Sequence, residues 1–116
     1  MEKYITQNET ETQKLAQEIA KNLTGGATIA LHGDLGSGKT VFAQGLAQGL
    51  GVARNVTSPT FVVMNVYPAA KGLKLVHIDA YRLTGPADLA AIGAGDYVGA
   101  NNTITLIEWP ERVEAW

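Results

Sequence analysis

The sequence predicts an α/β fold, a three-layer sandwich with a mostly parallel central sheet and one antiparallel hairpin, and three observations carry the prediction. Apolar runs of strand length alternate with stretches of helical period. A glycine-rich loop separates the first such run from the helix after it. Two later apolar runs are joined by a short loop containing Gly72, the pattern of a hairpin.

The elements follow in order. From Glu9 to Leu23, Leu15, Ile19 and Leu23 recur one helical turn apart with Ala16 and Ala20 beside them, which predicts a helix with one buried stripe. Asn8 followed three positions on by Glu11 resembles a capping box, and Gly25-Gly26 ends the segment. Ala27 to His32 (ATIALH) is short and apolar, as a buried strand should be. After the glycine loop, Phe42, Leu46 and Leu50 keep helical spacing and Gly51 supplies a stop. The hairpin strands are Phe61 to Tyr67 and Leu73 to Tyr81, joined by PAAKG. Thr84, Gly85 and Pro86 suit a helix start, with Asp88 in its first turn. Gly93 to Asn102 reads as loop, Thr103 to Trp109 (TITLIEW) as another central strand, and Pro110 as the opening of a last helical turn.

Size and charge narrow the function. A chain of 116 residues, 46% hydrophobic, forms one domain with a core, expected over residues 1–116, and leaves no second domain to hold a substrate. Cysteine is absent, which excludes disulfides and Cys-based metal sites. No leader and no run of about 18 apolar residues is present, so a cytoplasmic protein without membrane contact is expected. The formal charge is −2 and no basic run exists, which argues against autonomous binding to DNA or RNA.

The glycine loop carries the chemistry. LHGDLGSGKTVF contains Gly33-x-x-x-x-Gly38-Lys39-Thr40, the full P-loop pattern in its strand-to-helix context. Gly33, Gly36 and Gly38 let the backbone curl with its N–H groups facing a polyphosphate, and the next helix presents its positive dipole end to the same anion. Lys39 would reach the β- and γ-phosphates, and Thr40 has the hydroxyl that such loops place on Mg²⁺. Two acids at strand ends, Asp79 in LVHIDAYRL and Glu108 in ITLIEW, are the candidate carboxylates for that metal. Either alone could cap a strand or meet Arg82, but an acid at the end of an apolar run is costly unless paired or metal-bound. His77, on the same run as Asp79, reads as a packed or surface residue, since Mg²⁺ prefers oxygen ligands. Trp109 and Tyr81 read as packing residues.

In that order, GDLGSGKT, SPTF at Ser58 to Phe61, HIDAYRL at His77 to Leu83 and EWPE at Glu108 to Glu111 resemble the TsaE (YjeE) family of small P-loop ATPases. The resemblance implies a bacterial cytoplasmic ATPase with ATP and Mg²⁺ as cofactors. It would be needed for N6-threonylcarbamoyladenosine at position 37 of tRNA, would bind the TsaD–TsaB heterodimer, and would meet tRNA only indirectly. Residue by residue, it assigns Asp34, Leu35, Gly36, Ser37, Gly38 and Lys39 to phosphate binding with Gly33, and Thr40 to Mg²⁺. Glu108 becomes a metal-linked carboxylate and Asp79 a Walker-B-like acid. Lys39, Asp79 and Glu108 are then the catalytic set. Glu9, at the start of the first helix, would lie near the nucleotide, although a first-turn Glu is equally explained by the helix dipole. Thr60 would sit in a loop that senses the γ-phosphate, or simply start a strand after a Pro-led turn.

Members of that family run on past EWPE into further strands, whereas this sequence stops at Trp116, so its C-terminal strands are read as truncated or as those of a shortened variant. Three other readings compete. A small-molecule P-loop kinase would need lid arginines, and only Arg54, Arg82 and Arg112 exist. A GTPase-like switch would need an Asn-Lys-x-Asp stretch, which NNTI at Asn101 to Ile104 does not supply. A scaffold with a structural nucleotide would have no use for two acids at strand ends.

Overall fold

The computed structural model describes residues 8–31, 39–53, 64–80, 83 and 85–108, with the side chains of Lys39, Pro86 and Leu89 left aside. In chain order the elements are α1 (Glu9–Lys21), β1 (Thr28–Leu31), α2 (Lys39–Gly49), β2 (Met64–Pro68), β3 (Lys74–Asp79), α3 (Pro86–Ala91) and β4 (Thr103–Glu108), with single 3-10 turns at Ala70–Gly72 and Ala94–Asp96. Gly93 to Asn102, read as loop, thus contains one of these turns. The expectations on Phe61, Tyr81 and Thr84, and the last helical turn at Pro110, lie outside the described residues.

The sheet order is β1-β4-β3-β2. β4, the last of these strands in sequence, lies between β1 and β3 and is parallel to both, and β2 closes the other side antiparallel to β3. All six residues of β4 are buried, as expected of a central strand. β1 departs from the expectation of a buried strand: Thr28 and Ala30 are exposed, and Ile29 and Leu31 are half-buried. Its position explains this, because among the described residues it pairs with β4 alone.

Side-chain alternation divides the core into two layers. Leu75, Ile104 and Leu106, with Ile29 and Leu31 beside them, face Phe42, Ala43, Leu46 and Ala47 of α2, Leu50 just after it, and Ala16 and Ala20 of α1. Val76, Ile78 and Ile107 point the other way, to Leu83, Ala94, Ile92, Tyr97 and Val98. α1 and α2 therefore cover one face, and Leu83 with residues from the end of α3 onward covers the other, in three layers as expected.

α1 starts as the sequence indicates: the Asn8 side chain accepts the Glu11 N–H at 2.9 Å, satisfying one of the donors that a helix leaves open at its start. Its buried stripe is rotated from the expected one. Ala16 and Ala20 are the fully covered positions, while Leu15, Ile19 and Leu23 are only half-buried. The cause is on the partner helix, where Gly45 and Gly49 face α1 without side chains. A Cβ on Gly45 would fall 2.6 Å from the Gln13 carbonyl oxygen, and one on Gly49 would fall 2.6 Å from Ala20 Cβ. Backbones this close leave room for alanine only, and the larger residues are turned to the flanks. Gln13 and Gln17 both donate to Gln48 Oε1, at 3.2 and 2.8 Å, along the rim of this contact.

Candidate nucleotide-binding site

Three strand ends meet in one row. Leu31, the last residue of β1, is in register with Glu108, the last of β4, and Glu108 is in register with Asp79, the last of β3. Neighbouring strands lie about 4.8 Å apart, so Glu108 is one strand from the end of β1 and Asp79 two. Both acids share the face that carries Leu75 and Leu106, the face covered by α2.

α2 is oriented by its far end. The Ala70 N–H donates to the Leu50 carbonyl at 3.0 Å, which anchors the C-terminal end of α2 at the turn between β2 and β3. This turn precedes β3, so it lies at the edge of the sheet opposite Asp79 and Glu108. With 11 residues α2 is about 16 Å long, close to the length of the strands beneath it. Its first residues, Lys39 and Thr40, therefore lie at the edge where the two acids end. The motif residues Gly33, Asp34, Leu35, Gly36, Ser37 and Gly38 join Leu31 to Lys39 and lie outside the described residues, as do Thr60, Trp109 and the three arginines. Leu31, two residues before the motif, thus ends a strand, and the motif's last residues, Lys39 and Thr40, open a helix whose positive end faces the acids.

α1 runs parallel to α2, since Gly45 meets Gln13 and Ala16 while Gly49 meets Gln17 and Ala20. The same offset carried back one turn brings Glu9 alongside the start of α2. Glu9 is exposed, at the end of α1 that shares the edge with the two acids.

Glu108 and Asp79 differ in surroundings. Asp79 is half-buried, whereas Glu108 is 4% exposed. A buried carboxylate needs a partner, and Glu108 has one in His77: the imidazole Nε2 lies 2.5 Å from Glu108 Oε2, with His77 wholly buried. Among the described residues, His77 Nδ1 has no hydrogen-bond partner. Of the two expectations for His77, packed or surface, the structure shows the first and adds a partner that neither included. The signal available in the sequence was its spacing two residues before Asp79, which puts it on the acids' face of the sheet; the partner could be found only once β4 was known to lie beside β3.

No group of three or more His, Cys, Asp or Glu side chains converges to hold a metal among the described residues. Mg²⁺ is usually held by one or two carboxylates, with the remaining positions taken by water and phosphate oxygens. Thr40, Glu108 and Asp79, brought to one edge, are the residues that could supply such oxygens.

A glycine-rich motif that leaves a parallel strand and enters a helix, beside acids at the ends of neighbouring strands, defines the P-loop NTPase fold. The crystal structure of Bacillus subtilis YdiB matches with a TM-score of 0.73 and 34% identity, covering 92% of this chain and 63% of that chain. The family model for threonylcarbamoyl adenosine biosynthesis protein TsaE matches residues 6–116. The tRNA threonylcarbamoyladenosine biosynthesis protein TsaE of Streptomyces coelicolor is 43% identical over 85% of this chain and 67% of its own. That of Aquifex aeolicus is 42% identical over 97% of this chain and 79% of its own. The chain belongs to the TsaE family, which takes part in tRNA threonylcarbamoyladenosine biosynthesis. No helix among the described residues is long and apolar enough to cross a membrane.

Proposed function

We propose that this protein binds ATP with Mg²⁺ at the edge formed by Leu31, Glu108, Asp79 and the start of α2, and hydrolyses it slowly in the cytoplasm in support of tRNA threonylcarbamoyladenosine formation by a TsaD–TsaB complex. The observation that carries the reading is the single row of strand ends, which puts both acids beside the helix that the phosphate motif enters.

Each residue has a distinct task. The backbone of residues 33–38 and the positive end of α2 receive the polyphosphate, and the Lys39 ammonium neutralises the β- and γ-phosphates. Mg²⁺, when bound, offsets the negative charge that gathers on the phosphoryl oxygens. The Thr40 hydroxyl and the carboxylates of Glu108 and Asp79 hold the metal or the waters around it. Glu108, next to β1 and fixed by His77, is the better placed to orient an attacking water; Asp79, one strand further out, serves the hydrated metal. Lacking an Asn-Lys-x-Asp stretch, the site prefers adenine to guanine.

The acidic chain has no basic run for tRNA, so its nucleotide state is read by a protein partner. A partner that prefers the ATP-bound form shifts the equilibrium by its differential affinity for that form. The test is ATP hydrolysis by the purified chain, alone and with the TsaD–TsaB pair, together with nucleotide-dependent co-purification. Slow turnover alone and stimulation by the pair are expected. Full activity without the pair, combined with no nucleotide-sensitive association, would overturn the proposal.

A further inference from the structure

We infer that His77 is a positioning residue for the proposed nucleotide chemistry: its Nε2–H holds Glu108 Oε2 and thereby aims the other carboxylate oxygen at the edge where α2 begins. The inference rests on the proposed ATP site and adds a residue to it.

Four observations carry it. The contact is short, 2.5 Å, and joins two side chains that are 0% and 5% exposed, so water does not compete for it. The two residues come from different strands, 31 positions apart, so no local backbone preference creates the pair. The pairing is diagonal: His77 is in register with Leu106, and Glu108 with Asp79, so the imidazole reaches from one residue pair to the next, toward the edge. For Glu108 Oε2 to accept this bond, the hydrogen must be on Nε2. Nδ1 is buried and has no hydrogen-bond partner among the described residues, so Nε2 is the ring atom through which His77 acts.

The chemistry asks for such a residue. A carboxylate at the end of a strand retains rotation about its last bonds, and a water or hydrated metal held by it would share that freedom. Fixing one oxygen from below stops the rotation without blocking the second oxygen. Hydrogen-bond partners behind metal-linked groups commonly act this way, and their loss costs about 10- to 100-fold in affinity or rate.

The test uses the full chain with His77→Gln, whose amide nitrogen can occupy the place of Nε2, and His77→Leu, which fills the space without a donor. ¹⁵N spectroscopy of the nucleotide-free protein reads the imidazole, with His77→Gln assigning its signals against those of His32. A proton on Nε2 is expected; an Nε2 without one overturns the inference whatever the protein binds. Calorimetry with ATP in metal-free buffer should give both variants the wild-type affinity within about 2-fold. Single-turnover rates with Mg²⁺ should fall about 10-fold or more in His77→Leu and be largely restored in His77→Gln. Equal rates in wild type and His77→Leu, or equal losses in Leu and Gln variants of wild-type fold, overturn the positioning role. If the wild type neither binds nor hydrolyses ATP, the proposed function fails, and the spectroscopic result still decides the Nε2–H contact.

Discussion

Gly45 of α2 and Ala16 of α1 are in such close contact that a methyl group on Gly45 would fall 2.9 Å from Ala16 Cβ. The helices they join carry Glu9 and Thr40 at corresponding ends, so the spacing between them also sets the width of the proposed site on that side.

Gly45→Ala should therefore destabilise the fold, although alanine is the better helix former by about 1 kcal/mol. The added Cβ would also meet the Gln13 carbonyl oxygen at 2.6 Å, and backbone cannot turn aside as a side chain can. Overpacking of this kind costs about 1–3 kcal/mol, so after the helix-propensity gain the net loss should be up to about 2 kcal/mol. Gly49→Ala, facing Ala20 Cβ at 2.6 Å, should behave alike. Urea unfolding of both variants checks the sign; a stabilised variant would contradict the close packing of α1 on α2.

Lys39→Ala should weaken ATP binding by about 10-fold or more, as expected for loss of a charge-assisted contact worth about 1.5–3 kcal/mol. Calorimetry with ATP and Mg²⁺ measures it. Wild-type affinity in the variant would remove Lys39 from the phosphate site.

The two acids should separate in their effect on stability. Glu108→Ala strips the partner from a wholly buried imidazole and should cost about 1–3 kcal/mol of folding free energy. Asp79→Ala, at a half-buried position, should cost less. Both should lose turnover while retaining much of the nucleotide affinity, because the phosphate motif is intact. Thermal unfolding beside a single-turnover assay tests the pair, and a Glu108→Ala protein as active as wild type would refute the assignment.

Thr105→Val should stabilise the protein. The Thr105 hydroxyl is fully buried on the sheet face away from the proposed site and has no hydrogen-bond partner among the described residues. Valine keeps the shape and the strand preference and removes the unsatisfied group, for a gain of about 1 kcal/mol. A lower denaturation midpoint in the variant would show that the hydroxyl is in fact paired.

The parts that were legible in the sequence are those fixed by short-range chemistry. The Asn8 cap depends on a side chain and an N–H three residues apart, the strands on continuous apolar runs, and the phosphate motif on fixed spacing around glycines. The rotated stripe of α1 was not legible, because the choice of Ala16 and Ala20 over Leu15 and Ile19 is made by glycines on another helix. The role of His77 was hidden for a similar reason. Asp79 and Glu108 could be singled out as costly acids at strand ends, but the imidazole acquires its partner from the sheet order. Nothing near His77 in sequence announces that Thr103–Glu108 will lie beside it.

That order also has a consequence for synthesis on the ribosome. Among the described residues, the strand that leads into the phosphate motif pairs with no neighbour except β4. A nascent chain that has emerged only through β3 can form α1, α2 and the β2–β3 hairpin, but Thr28–Leu31 has nothing to lie against, and His77 is still without Glu108. At about 5–20 residues per second, several seconds separate the appearance of the motif from that of Thr103–Glu108. The nucleotide site is therefore completed late, when β4 adds to the finished β2–β3 hairpin and gives Thr28–Leu31 its partner, and a chain that lacks β4 cannot assemble it.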